Sequence, residues 1–170
     1  ERFHKLVGAD PMNVAGFEIA NGTYPTFTAE ASREYVLSGT SARFRPFVEA
    51  QAGVETLVRV GADLTLGSFG RGGLRMRDTV TGQRLPAIAG AAEAGTSLLL
   101  GADTAWVADS QYLPASLGYR LTDARSRLRA GVHWAAGRTS VFYGVTYLSP
   151  EFEAQPEGQL VGSFTWRHKF

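Results

Sequence analysis

Few side chains in this sequence can move a proton or hold an ion. Its 170 residues include three histidines, His4, His133 and His168, and no cysteine. Thiol catalysis, disulfides and thiolate-bound zinc are therefore excluded. An unperturbed imidazole titrates near pH ~6.5, so each histidine is a base available at neutral pH. Taken alone, His4 is a histidine close to one end of the sequence, and Asp10, followed by Pro11, is a pair that starts turns. Ser97, Ser126, Ser140 and Ser163 have no histidine at a spacing that implies a triad. No glycine-rich phosphate loop lies between a strand and a helix. Lysine plus arginine number 17 against 16 for aspartate plus glutamate, a net charge of +1 with no basic cluster of the kind that binds nucleic acid.

The elements that must position these groups show period two. Val58, Val60, Ala62, Leu64 and Leu66 alternate with Arg59, Gly61, Asp63 and Thr65. Leu128, Ala130, Val132 and Trp134 alternate with Arg127, Arg129, Gly131 and His133. Residues 139–149 set Val141, Tyr143, Val145 and Tyr147 against Ser140, Gly144 and Thr146, with Phe142 as an exception; Phe27, Ala29, Ala31 and Tyr35 oppose Thr28, Glu30, Ser32 and Glu34. A helix would repeat at three and four, so these are strands. The 20 glycines agree, since glycine in a helix interior costs about 1 kcal/mol against alanine. Two segments are less regular. Residues 42–52 change phase at Pro46, as a bulge would allow, and 96–108 begin apolar on both faces.

The strands run to roughly 9–13 residues, against a usual mode of ~5–6, and a tilted strand needs ~9–11 to cross a bilayer. Charged and small residues fill the polar faces; aliphatics and then aromatics fill the others. That predicts an all-β fold, an antiparallel transmembrane β-barrel with a wet lumen and aromatic girdles. The last residues, GQLVGSFTWRHKF, put Leu160, Phe164, Trp166 and Phe170 on one parity. This ending is similar to that of bacterial outer-membrane barrels, where the final Phe is an assembly signal; the partner so implied is the barrel-assembly machinery, acting through Phe170. Residues 150–157 are then an outer loop and Ala136-Gly137-Arg138 a periplasmic turn. Seven or eight strands are expected, one of them short and near 71–78 or 112–122. Arg59 and Asp63 read as a structural charge network, His133 as one rung of a basic ladder with Arg127 and Arg129. Arg71, Arg75 and Arg77 read either as phosphate contacts or as a solvated loop.

Several stretches together resemble the outer-membrane lipid A 3'-O-deacylases: FHKLVGAD…GFE, RPFVEAQAGVETLVRVGADLTLG, GADTAWVADSQYL and YGVTYLSPEFEAQPEGQLVGSFTW. The resemblance spans nearly the whole chain but only the later part of the family's twelve-stranded barrel. It implies one β-barrel domain over 1–170, the C-terminal part of a longer barrel, with 1–23 as a helix or loop segment carrying the site. It also implies a bacterial outer-membrane location, lipopolysaccharide as partner, and calcium-assisted hydrolysis of the 3'-acyloxyacyl ester. His4 matches the family's general base and Asp10 an acidic position that helps hold calcium. Calcium takes about six to eight oxygen ligands, so one aspartate needs others. Gly16-Phe17-Glu18-Ile19-Ala20 stands where the family has Gly-Trp-Asp-Asn-Gln, and the Asn-Asp pair of the family's first strands has no counterpart. Two alternatives stay open: a non-enzymatic barrel, structural or a pore, and an inactive truncated relative.

Overall fold

The structure, a computed structural model, describes residues 19, 21–71, 74–86 and 94–170. Its main element is one antiparallel sheet. β1 (Phe27–Ser32) and β2 (Tyr35–Val36) are two pieces of an edge strand, both paired with β3 (Ala42–Ala52). β4 (Glu55–Leu66) follows, then a long connection carrying β5 (Arg75–Arg77) and β6 (Arg84–Pro86). The wall resumes with β7 (Gly95–Ser110), β8 (Arg125–Ala136), β9 (Thr139–Leu148) and β10 (Gln159–His168), each beside its predecessor. β1 and β10 are the two edges and do not pair with each other, so the sheet is not closed.

Turn chemistry fixes the register. β3 and β4 are joined by Gly53-Val54 and β8 and β9 by Gly137-Arg138; Gly137 sits at φ +57°, where a side chain would be strained. From there the ladders run almost uninterrupted, Gly61↔Asp103 beside Asp103↔Arg127, with one bulge between Thr56 and Leu57. The alternation is inverted relative to a soluble sheet. Phe27, Leu128, Tyr143, Leu160, Phe164 and Trp166 are exposed, while Arg43, Glu49, Asp63, Asp103, Arg127 and Arg129 are buried. A continuous exposed apolar band over charges is what a wall between lipid and a wet interior requires. No described helix is long and apolar enough to cross a membrane.

Three expectations are corrected. The expected short strand does lie within 71–78, at Arg75–Arg77, but it is no part of the wall: it pairs with Arg84–Pro86 in a separate two-stranded sheet, and 112–122 holds a short 3-10 turn at Ala115–Leu117. β3 carries no bulge at Pro46, which pairs with Ala62 in unbroken register. The apparent phase change is Phe47, an aromatic on the polar face that is 3% exposed and lies 3.6 Å beneath the Arg77 guanidinium. Nor is the arginine-rich connection a solvated loop throughout. The β5–β6 hairpin folds back on the polar face of the sheet, where Phe69 and Leu85 pack against Leu99 and Phe142.

Replacing Val60, in the middle of the exposed apolar face of β4, by lysine is expected to cost about 2–4 kcal/mol in a bilayer. Urea titration of the protein folded into liposomes checks this, with Thr65→Lys on the opposite face expected to cost less.

Candidate functional site

His4 and Asp10, with Gly16, Phe17 and Glu18, lie outside the described residues. Within the described residues no group of three or more His, Asp or Glu is placed to hold a metal ion. What the sheet does assemble is a dense charge network on its polar face.

Two carboxylates are its hubs. Asp63 on β4 accepts from Arg129 Nη2 at 2.7 Å and from Arg77 Nη2 at 2.9 Å. Asp103 on β7 accepts from Arg127 Nε at 2.9 Å, pairs with Arg59 Nε at 3.3 Å, and also bonds Arg129. Cross-strand register explains the convergence, since Asp103 sits opposite Arg127 on one side and Gly61 on the other. Two glycines make the space: a Cβ on Gly61 would lie 2.4 Å from Asp103 Cβ, and one on Gly101 would lie 2.5 Å from Arg129 Nε. Farther along, Glu49 pairs with Arg59, and Glu30 with Arg45 and Arg77.

The hairpin is woven into this network. Arg77 Nε reaches Glu30 at 2.8 Å, and Asp63 takes the other end of the same fork. Both carboxylates outweigh burial and hold the Arg77 guanidinium above its usual range. Arg84 has the opposite balance: burial, followed by the positive charge of Arg45, brings it down to about 10. Arg127 Nη1 donates to the carbonyls of Thr79 and Val80 at the hairpin tip, at 2.9 and 3.1 Å. Thr146 Oγ1 donates to the Thr81 carbonyl and Gln83 Nε2 to the Ala130 carbonyl.

A cavity of about 480 Å³ lies on the far side of the hairpin tip, towards the loops 111–124 and 149–158. Its floor is Thr79 and Val80, its sides include Arg59, Asp103 and Arg125, and Tyr112 and Glu151 stand on the loops that edge it. Glu55 Oε1 accepts from both Ser110 Oγ and Arg125 Nη1 at 2.8 Å. His133 lies elsewhere. Its ring lies against Phe69, with centroids 4.3 Å apart and planes tilted by 52°, beside Ser140 and Arg167, and among the described residues no hydrogen bond to a carboxylate orients it as a base.

The expected network of Arg59 and Asp63 is therefore present, and Arg127 and Arg129 join it. Sequence reading missed Glu49 and Asp103, and gave Arg77 a place on phosphate or in a solvated loop rather than in this network. The signal for the first two was available: Glu49 shares the parity of its strand with Arg43 and Arg45, and Asp103 that of its strand with Ser97.

No family model matches the chain, and no curated protein matches it. Among solved structures, LpxR from Salmonella typhimurium superposes on it with a TM-score of 0.68 over 99% of the chain, at 16% sequence identity. LpxR is a lipid A 3'-O-deacylase and a β-barrel. This chain has the LpxR fold. It spans 60% of LpxR's length, so the open sheet corresponds to part of that barrel's wall. The β5–β6 hairpin is packed on the polar face of this sheet.

Asp103→Ala leaves Arg59, Arg127 and Arg129 without a shared counter-charge in a buried setting, and is expected to destabilise the fold by about 3–5 kcal/mol. Glu153→Ala removes only the exposed pair with Arg120, with side chains 56% and 82% exposed, so its expected cost is about 0–1 kcal/mol. Urea midpoints for the two variants, measured side by side, check the contrast.

Proposed function

We propose that this chain is the C-terminal part of an outer-membrane lipid A deacylase that hydrolyses the 3'-acyloxyacyl ester of lipopolysaccharide. The observation that carries this reading is the superposition on LpxR, matched by a sheet whose apolar face is outward and whose charges are inward. The bacterial outer membrane follows as location, with lipopolysaccharide as the substrate partner. Phe170, fully exposed beyond the end of β10, is the contact offered to the barrel-assembly machinery.

In this proposal His4 is the catalytic residue. Its neutral imidazole takes a proton from water as the water oxygen bonds to the ester carbonyl carbon. The bond from that carbon to the sugar 3'-oxygen then breaks. The imidazolium returns its proton to the departing alkoxide, leaving a 3'-hydroxyl and a free fatty acid. The described wall holds no cluster fit for calcium; in this reading the ion site is built by Asp10 and groups beyond that wall. Bound calcium supplies charge stabilisation for the developing oxyanion.

The pore alternative fares worse, because the hairpin occupies the interior and is pinned there by Arg77, Gln83 and Arg127. An inactive relative is the reading that activity decides.

Lipid A extracted from cells expressing the protein is expected to lose the mass of the 3'-acyloxyacyl group, as read by mass spectrometry. His4→Ala should lower the rate by roughly 10²–10⁴-fold, and a calcium chelator should suppress it. Unaltered lipid A from cells carrying the folded wild-type protein removes the deacylase assignment.

A further inference from the structure

The cavity beside the hairpin tip is a cup lined by Thr79 and Val80 of that tip and by Tyr112, Leu113, Ser149 and Glu151 of two loops. Those loops are fastened to one another. Leu121 bridges Phe152, Thr122 N donates to the Glu151 carbonyl at 3.2 Å, Glu153 N donates to the Arg120 carbonyl at 2.9 Å, and the Tyr119 and Phe152 rings meet edge to face at 5.2 Å. The rim residue Glu151 is thereby held in place before any ligand arrives, which lowers the ordering cost of binding.

Charge in the cup is already matched. Arg125 faces Glu55 at 2.8 Å and Glu151 at 3.6 Å; Arg127 faces Asp103 at 2.9 Å; Arg59 faces Asp103 and Glu49. No guanidinium is left over for an anion. The cup's carboxylates are equally engaged, and the described residues contain no cluster fit for a metal cation. Hydrogen-bonding capacity, in contrast, is not exhausted. Arg125 Nε and Nη2 and Arg127 Nη2 are buried with no hydrogen-bond partner among the described residues, and Gln51, Thr28 and Gln159 bring neutral donors and acceptors to the same cavity. Apolar surface is mixed in at Leu57, Val107 and Leu148, and the Tyr112 ring is 59% exposed on the rim. A ligand suited to this lining carries no net charge, both donates and accepts, and presents a C–H face to an aromatic ring. Those are the properties of a sugar ring. At about 480 Å³ the cavity lies in the ~300–1,000 Å³ range of small-molecule sites.

We propose that this cup is a subsite for an uncharged, hydroxyl-rich sugar unit, placed to hold the glycan part of lipopolysaccharide. The glycan source rests on the outer-membrane reading given above; the ligand chemistry rests on the cup alone. The cup lies at the end of the wall opposite Phe170, where β9 delivers Leu148 and β10 begins at Gln159. With Phe170 periplasmic, it opens outwards.

Isothermal titration of the full chain in detergent micelles tests the proposal. The probes are a neutral hexose oligosaccharide from the outer part of the lipopolysaccharide core, free of lipid, phosphate and acidic sugars, and, separately, inorganic phosphate. Saturable oligosaccharide binding is expected, with affinity changing less than about threefold between 50 and 500 mM NaCl because no net charge is exchanged. Tyr112→Ala and Glu151→Gln, both at exposed positions and both checked for folding by heat-modifiable gel mobility, are each expected to weaken it about tenfold. Absence of saturable binding, binding by either folded variant equal to wild type, or competition by inorganic phosphate overturns the sugar subsite. The oligosaccharide has no ester, so sugar binding without lipid A hydrolysis refutes only the deacylase, and hydrolysis without sugar binding refutes only the cup.

Discussion

Asp63 and Asp103 hold the interior together. Between them they receive Arg59 from the first half of the wall, Arg127 and Arg129 from the second, and Arg77 from the hairpin. A sheet that turns its apolar side outward has no hydrophobic core of ordinary size to knit it. Here the buried apolar cluster is Phe69, Leu99 and Phe142, with Leu85 beside it. Cross-strand ion pairs with bidentate arginine geometry take over that role inside, where low dielectric strengthens each hydrogen bond and makes each orphaned charge expensive. The same carboxylates fix the hairpin, so wall and hairpin are one network rather than a container and its contents.

The strands themselves were legible because inversion does not hide alternation. Period two shows whichever face is buried, and the ends expected at Ala136-Gly137-Arg138 and 150–157 coincide with the turn after β8 and the loop after β9. The hairpin was not legible. Three residues in each of β5 and β6 are too few to show a period: RMR and RLP each set a single residue, Met76 or Leu85, against two of the other parity. Its imprint on the wall was visible nonetheless. Phe47, Leu99 and Phe142, on the polar faces of β3, β7 and β9, all lie under the hairpin or the connection leading to it, against Arg77, Phe69 or Leu85. Each was readable as an irregularity within its own strand. Read together, as a patch on one face of a sheet, they mark where something apolar must land.

The site residues expected from the family resemblance stand differently. His4 and Asp10 fall in the segment ahead of the first described strand, where no alternation ties a residue to a face. Their assignment rested on FHKLVGAD alone, with altered residues at 16–20. The fold comparison bears on the wall, and the wall contributes position, not the reacting groups. In the proposed deacylase the labour is divided: the charged polar face sets the shape, and the segment carrying His4 and Asp10 supplies the reactive chemistry.

Both edges of the sheet then acquire meaning. β1 and the outer side of β10 carry backbone donors and acceptors with no strand beyond them among the described residues. In water such edges are tolerable; in hydrocarbon each unpaired group costs several kcal/mol, and only a closed sheet avoids it. The seven positions of this wall, counting β1 and β2 as one, do not meet each other. LpxR, whose length this chain covers to 60%, is a barrel. In the outer-membrane reading, strands pairing with Phe27–Ser32 on one side and Gln159–His168 on the other are therefore a physical requirement. The exposed apolar side chains of β10, Leu160, Phe164 and Trp166, are suited to lipid, but its hydrogen-bonding edge is suited only to another strand.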